Sequence, residues 1–507
     1  MSKRNTTKKR SKPTDTGSII FDMFNDRFFD DDFKNLKMKP DVKKLLHSYQ
    51  HMHVFNMISA LKKYDSAIDG SSTGTGKTYT SVAICKQLGL TPIIICPKIN
   101  QNSWKSVCNR FEVVPECIVN YELLRTGKIY DDNDKKIEAP FIKKCDKGKY
   151  EWSIKDKNRK ILIYDEAHKC KNKNSQLGKL MMSSKHKCKI LLLSATLCDK
   201  INDFMLFGYV LGIYAKLSTG RNWLKWTVEQ DIKNIDQDGQ STLYKNIFPK
   251  HGSKMDIDEV NFPDNIIIAE CYDIDPKDRK KMNNRLEKLK NKRSKKLKNK
   301  CKEKHRVKFT EDTDTSIDIN NDNKPNKKNS NKSCVLEEMT DERQEIEKIK
   351  VPIILEEITK SFNSGKSVVV FVNFVKSVET LSICLDKLEI KHCIIKGGQD
   401  KKERDENIEL FQYNRRKVIV CTIQSGGDCI SLHDKFGGHP RISLISPSLK
   451  AIEITQALGR IKRSGGKSKC IQKLIFCAGT LEERIAKIIK EKSKFINNLT
   501  DDDLFNY

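Results

Sequence analysis

The sequence predicts an α/β protein built from two parallel-sheet lobes, and three observations lead there. Two series of short, continuous apolar runs are separated by helix-length segments of mixed polarity, and a densely charged stretch lies between the two series. The first series reads TPIIICP, ECIVNYE, KILIYDE and KILLLSAT. The second, from about residue 367, reads SVVVFVNF, HCIIKGG, KVIVCTI, RISLISP and QKLIFCAG. Strands covered by helices on both faces need runs of this continuous kind, whereas half-exposed strands alternate. A chain of 507 residues is long enough for two such cores.

Taken in order, residues 1–40 form a basic tail followed by an acidic-aromatic segment, IIFDMFNDRFFDDDF. Residues 41–270 make the first lobe, 271–337 an insertion or linker, 338–490 the second lobe and 491–507 an acidic tail. The insertion is unlike either lobe: residues 277–308 hold 17 Lys or Arg against three acids. Its first part lacks Pro and Gly and suits a helix; residues 309–333, rich in Asn, Asp, Ser and Lys, suit disorder. Such an arm either grips phosphates without reading sequence or is a solvated insertion.

The whole chain carries a formal charge of +29, from 96 Lys and Arg against 67 Asp and Glu. That field favours polyanionic partners, nucleic acid first, although lysines also serve plain solubility. Seventeen cysteines include no C-x-x-C pair, so buried free thiols in a reducing compartment are expected rather than zinc sites or disulfides. With no long apolar run and no secretory leader, an intracellular protein is expected, nuclear or cytoplasmic or carried in a virus particle, with no membrane partner.

The strongest local signal is Ser71-Ser72-Thr73-Gly74-Thr75-Gly76-Lys77-Thr78. A phosphate chain needs backbone N–H groups turned toward it, and Gly74 and Gly76 permit that turn. Lys77 is placed to reach the β- and γ-phosphates of ATP and Thr78 to coordinate Mg²⁺, at the positive end of the following helix. Ser71 stands where the usual pattern has its first glycine. Farther along, KILIYDEAH puts Asp165 and Glu166 at a strand end, the first suited to Mg²⁺ and the second to polarising the attacking water. Gln456, Arg460 and Arg463, spaced by four and three, are expected on one helix face, where two arginines can neutralise charge on a transferring phosphoryl group.

These segments in this order resemble superfamily 2 helicases and translocases: the phosphate loop, then Asp165-Glu-Ala-His168, Ser194-Ala-Thr196 and Gln456-Ala-Leu-Gly-Arg-Ile-Lys-Arg463. The resemblance spans about residues 41–490 without the insertion. It implies two RecA-like lobes with ATP in the cleft between them. It also implies that Gln50 reads adenine, and that His168, Ser194 and Thr196 couple hydrolysis to lobe movement. Within the superfamily, PIIICPKINQNSW, VNYELLR and TIQSGGDCISL are most similar to Swi/Snf-like DNA translocases. That likeness nominates Lys98, Trp104, Thr422, Gly426 and Gly427 as facing the nucleic-acid track. Leu197, Cys429 and Lys462 depart from the commoner pattern without removing a phosphate, magnesium or arginine group.

The expectation is therefore a nucleic-acid-dependent ATPase, with DNA favoured over RNA as the track. An RNA helicase of the same superfamily and a non-catalytic scaffold with the same fold are the competing readings.

Overall fold

The computed structural model describes residues 37–486, apart from 196–200, 234–241, 256–264, 281–283, 285–327 and a few single or paired positions. The basic insertion, both tails and Thr196 thus lie wholly or mostly outside the described residues. The chain divides into two compact units, with the boundary between Asn261 and Phe262.

In the first unit, β1 (Ser66–Asp69), β2 (Thr91–Cys96), β3 (Cys117–Asn120), β8 (Lys160–Asp165), β9 (Lys189–Leu193) and β10 (Gly252–Ser253) form one sheet, in the order β10-β1-β9-β8-β2-β3. Every neighbouring pair is parallel. All the apolar residues of β8 and β9 are buried, as two-sided cover requires. Helix α1 (Ser48–Tyr64) closes one face with Val54, Met57, Ile58 and Leu61. Each such side chain contributes about 1.5–3 kcal/mol on burial.

Helix α2 (Lys77–Leu88) follows the glycine loop, and α3 (Gln101–Arg110) and α4 (Tyr121–Leu124) follow β2 and β3. Between α4 and β8 the chain adds two antiparallel hairpins, β4 (Lys128–Tyr130) with β5 (Lys136–Glu138), and β6 (Ile142–Lys144) with β7 (Tyr150–Trp152). Sequence periodicity did not reveal them, because each strand is three residues long.

The second unit has its own all-parallel sheet. Its strands are β11 (Asn265–Tyr272), β12 (Ser367–Val372), β13 (His392–Ile395), β14 (Val418–Thr422), β15 (Arg441–Ile445) and β16 (Cys470–Cys477), ordered β11-β16-β15-β12-β14-β13. Strand β11 corrects the expected boundary of the first lobe at residue 270: Asn265–Tyr272 pairs with β16, in register Asn265↔Cys470 through Tyr272↔Cys477. The long helix α5 (Lys328–Asn363) crosses the expected start of the second lobe at 338. Helices α6 (Val375–Lys387), α7 (Lys401–Gln412), α8 (Ile423–Gly427) and α9 (Ala451–Leu458) complete the unit.

Candidate nucleotide site and arginine segment

Register brings the first unit's motifs together. Leu193 is level with Asp69 on one side and Asp165 on the other, so β1, β9 and β8 end side by side. Three loops therefore leave one edge of the sheet: the glycine loop after Asp69, the Asp-Glu-Ala-His turn after Tyr164, and the Ser194 segment after Leu193. The Ser194 N–H donates to the Asp69 carbonyl at 3.1 Å. In an open parallel sheet, ligands sit at this carboxyl edge.

The glycine loop is held from several sides. Gly74 and Gly76 have φ of 87° and 96°, in the region glycine adopts without penalty. A Cβ on Gly76 would stand 2.4 Å from the Gln50 amide nitrogen, so the loop needs glycine there twice over. Lys77 opens α2, and its ammonium donates to the carbonyls of Ser71 at 2.8 Å and Ser72 at 3.1 Å. Thr75 Oγ1 donates to the Ser72 carbonyl at 2.9 Å. Thr73 and Thr78 lie in the same turn, Thr78 as the second residue of α2.

Gln50, expected to read adenine, packs beside the glycine loop. It is 2% exposed; its Nε2 donates to the Thr75 carbonyl at 2.9 Å and its Oε1 accepts the His47 N–H at 2.9 Å. One N–H and the oxygen of the amide thus bond the protein, and the side chain braces the loop from the first turn of α1.

Asp69, which sequence reasoning passed over, is the loop's second brace. It is buried; Oδ1 accepts the Ser71 N–H at 2.9 Å and Oδ2 lies 2.9 Å from His53 Nε2 on α1. Thr80 Oγ1 of α2 also points to Oδ2, at 3.4 Å. Burial alone would raise the pKa of this carboxyl, but the neighbouring His53 and then Lys77 and the Ser71 N–H outweigh it and hold the pKa below the ordinary value. The available signal was an aspartate ending an apolar strand directly ahead of the glycine loop.

Asp165 is buried too, and two donors converge on its Oδ2: Asn100 Nδ2 at 2.8 Å and Trp104 Nε1 at 2.9 Å. The Tyr121 hydroxyl donates to its backbone carbonyl at 2.7 Å. Burial, and then the Glu166 charge, push its pKa up to about 6. A cation beside it reverses that balance. Because both donors share one oxygen, the other remains for a metal, so the residues fit the Mg²⁺ assigned to Thr78 and Asp165. Among the described residues no cluster of three His, Cys, Asp or Glu side chains suits a metal, and magnesium asks for none, since it keeps water and phosphate ligands.

Trp104 is a correction. Expected to face a nucleic-acid track, it is 0% exposed and ties α3 to Asp165. Thr422 and Gly426 are likewise buried. A Cβ on Gly426 would meet Cys421 Cβ at 2.5 Å and the Phe371 ring at 2.9 Å, so this glycine serves close packing of α8 on β14 and β12. Gly427 ends α8, and Lys98 is exposed at the turn after β2.

Glu166 adopts a left-handed φ of 56°, a strain of about 1–3 kcal/mol that persists where surroundings enforce it. The turn carries its carboxylate out of the strand to His168, whose Nδ1 lies 3.2 Å from Glu166 Oε2 and 3.1 Å from Ser194 Oγ. One imidazole thus touches both the Glu166 carboxylate and the Ser194 segment.

In the second unit, α9 ends at Leu458, so Gln456, Arg460 and Arg463 do not share one helix face as expected. Gln456 is on the helix; Arg460 and Arg463 follow its end. Each arginine donates through Nε to the carbonyl four residues back, Arg460 to Gln456 at 2.8 Å and Arg463 to Gly459 at 3.0 Å. Arg460 is 2% exposed and its Nη1 reaches the Ile430 carbonyl at 3.3 Å. Arg463 is half-buried and its Nη1 donates to Ser431 Oγ at 2.6 Å.

Comparison with known proteins agrees with this arrangement. Residues 43–199 match the family of type III restriction enzyme res subunits, and residues 349–465 match the helicase conserved C-terminal domain. A protein of Acanthamoeba polyphaga mimivirus, named as an ATP-dependent RNA helicase, is 32% identical over 93% of this chain and 87% of its own length. An ISWI chromatin-remodeling complex ATPase of Arabidopsis thaliana is 23% identical over 35% of this chain and 18% of its own. Among solved structures, S. cerevisiae Dbp5 bound to RNA and ADP BeF3 aligns over 90% of this chain and 93% of its own, at 13% identity and a TM-score of 0.47. The Sulfolobus solfataricus SWI2/SNF2 ATPase core with double-stranded DNA covers 92% and 94%, at 19% identity and a TM-score of 0.33.

The two domain matches and the viral relative place the chain in helicase superfamily 2, the ATP-hydrolysing helicases and translocases, each unit being a RecA-like lobe.

Proposed function

We propose that this helicase-family ATPase is a motor that moves along double-stranded DNA. The observation that carries its chemistry is the alignment of Asp69, Leu193 and Asp165 at the ends of three adjacent strands. It gathers Lys77, Thr78, Asp165 and Glu166 at one sheet edge. In this reading the loop N–H groups and Lys77 bind the phosphates of ATP. Thr78 and Asp165 hold Mg²⁺, which when bound draws charge from the phosphate oxygens. Glu166 orients and polarises the water, while His168 relays its position to Ser194 and the neighbouring Thr196. Arg460 and Arg463, by the resemblance, supply positive charge to the transferring phosphoryl group.

The likeness of PIIICPKINQNSW, VNYELLR and TIQSGGDCISL to Swi/Snf-like segments supports duplex DNA as the track. A second reading, RNA as the track, is favoured by the name of the mimivirus relative. Steady-state ATP turnover at fixed salt, alone and with duplex DNA, single-stranded DNA or RNA, separates them. Stimulation chiefly by duplex DNA is expected, and stimulation chiefly by RNA overturns the DNA assignment. Lys77→Ala is expected to lower turnover about a thousandfold, as loss of a phosphate-neutralising group does; unimpaired turnover in that variant sinks the catalytic assignment.

A further inference from the structure

The nucleotide chemistry leaves one face of the second unit unexplained. Tyr413, just after α7, and Phe436, in the loop between α8 and β15, are 54% and 56% exposed. Their rings are stacked, with centroids 5.3 Å apart and planes inclined by 22°. An isolated exposed aromatic is ordinary. Two that meet in water across 23 residues of sequence, on separate elements, form an exposed aromatic stack that a further flat ring can extend.

Its surroundings are cationic. The Arg415 guanidinium lies 5.8 Å from the centre of the Tyr413 ring, and Lys435 adjoins Phe436 and is exposed. Lys467, also exposed, runs beside the Phe436 loop: its N–H donates to the Asp434 carbonyl at 2.9 Å, and its side chain passes Gly437. The loop's own acid, Asp434, is 2% exposed. Its carboxylate accepts the N–H groups of Phe436, Gly437 and His439 and the Ser468 hydroxyl. That negative charge is turned inward and used to shape the loop that presents Phe436. The nearest acid on α7 is Glu409, one turn back and exposed.

We infer that Tyr413 and Phe436 form a stacking platform for the bases of an unpaired DNA strand, with Arg415, Lys435 and Lys467 on its phosphates. A duplex buries its base faces and leaves nothing for exposed rings to stack on, whereas a single strand offers both base faces and backbone charge. Positive groups around an apolar platform match that chemistry. The inference rests on the DNA-motor reading and deepens it: a motor that holds an unpaired strand is equipped to keep a duplex open behind its step.

The test uses the full chain and fluorescence anisotropy with a labelled oligo(dT), a duplex of equal length and an oligo(U). The double variant Tyr413→Ala/Phe436→Ala is expected to weaken oligo(dT) binding about tenfold or more, as removal of base-stacking rings does. Duplex affinity should change less than twofold. Replacing Arg415, Lys435 and Lys467 together by alanine should flatten the dependence of log affinity on log salt by about 2, since each single-strand phosphate contact contributes about 0.7. Melting temperature and polynucleotide-free ATP turnover, unchanged from the parent, establish that the variants are folded.

A folded double variant that keeps oligo(dT) affinity within twofold overturns the inference. Equal losses on duplex and single strand overturn it as a stacking site. Tighter binding to oligo(U) than to oligo(dT), abolished by the same variant, overturns the choice of DNA. The DNA-motor reading fails separately, if duplex DNA does not stimulate turnover in the parent protein.

Discussion

The two units carry their reactive groups in opposite ways. In the first, Asp165 and the glycine loop are braced by residues distant in sequence: Asn100 and Trp104 grip Asp165 across 65 and 61 positions, and Gln50 grips the Thr75 carbonyl across 25. In the second, Arg460 and Arg463 are each held by the turn just behind them, through Nε on the carbonyl four residues back, with one longer contact apiece, to Ile430 and Ser431. A site assembled by long-range contacts is precise but fails as a group when one brace is lost. A site assembled locally survives in its parts, so its arginines can be removed one at a time and the loss read as chemistry.

The largest effect that tests this contrast is Arg463→Ala. Half-buried and bonded to its own turn and to Ser431, Arg463 should cost less stability on removal than the fully buried Arg460. Turnover at saturating ATP should fall about a thousandfold, the lower end of what an arginine finger supplies in phosphoryl transfer. Arg460→Ala should lower turnover comparably and also depress the melting temperature, because its guanidinium is buried and bonded to Ile430 as well. If the Arg463 variant melts early too, the second unit is no more modular than the first and the contrast is lost.

Asp69→Asn probes the long-range side. Asp69→Asn weakens the acceptor that serves His53 Nε2, the Ser71 N–H and Thr80 Oγ1, and leaving buried polar partners poorly matched costs about 1–3 kcal/mol. The pH dependence carries a sign that tests the assignment. The folded pKa of Asp69 lies below its ordinary value, because His53, Lys77 and the Ser71 N–H outweigh burial. The stability it contributes is therefore complete above the unfolded carboxyl pKa of about 3.9 and is lost as pH falls through the lower folded value. Chemical denaturation from pH 7 to pH 3 should show a lower and flatter curve for Asp69→Asn. A parallel curve, equally steep in acid, removes Asp69 as the brace.

How much of this was legible follows from the same contrast. The long apolar strands and the glycine loop announce themselves locally, since two-sided burial and phosphate binding each impose a short pattern. Strand β1, SAID, is too short and too polar to stand out, and β10 has two residues. The run NIIIAECY is visibly a strand, yet nothing within it says that its partner is Cys470–Cys477, some 200 positions on. The same limit applied at the site. Lys77, Asp165 and Glu166 were readable from their motifs, but Asp69, His53 and Asn100 act only through contacts that the fold creates. The bracing contacts of Gln50 were equally hidden, because a glutamine looks the same in sequence whether or not its amide grips a carbonyl.

Trp104 gives the smallest expected effect and the sharpest division between motif and contact. Read by resemblance it faces nucleic acid; in the fold its indole N–H donates to Asp165 Oδ2 and its ring is wholly enclosed. Trp104→Phe keeps most of the apolar volume and removes the donor. Asp165 then keeps Asn100 alone on that oxygen, and the carboxylate loses part of what orients it toward the metal. Loss of such an outer partner typically weakens a metal site about 10–100-fold. The expected result is a rise of about tenfold in the magnesium concentration that half-saturates turnover, with affinity for duplex DNA unchanged. Lower DNA affinity at unchanged magnesium dependence restores the track-facing role and shows that the motif outranks the contact. An unchanged variant on both measures reduces Trp104 to packing, and then Asn100 alone orients Asp165. Asn100→Leu should in that case produce the magnesium effect by itself, because it is the one remaining side chain that donates to Oδ2.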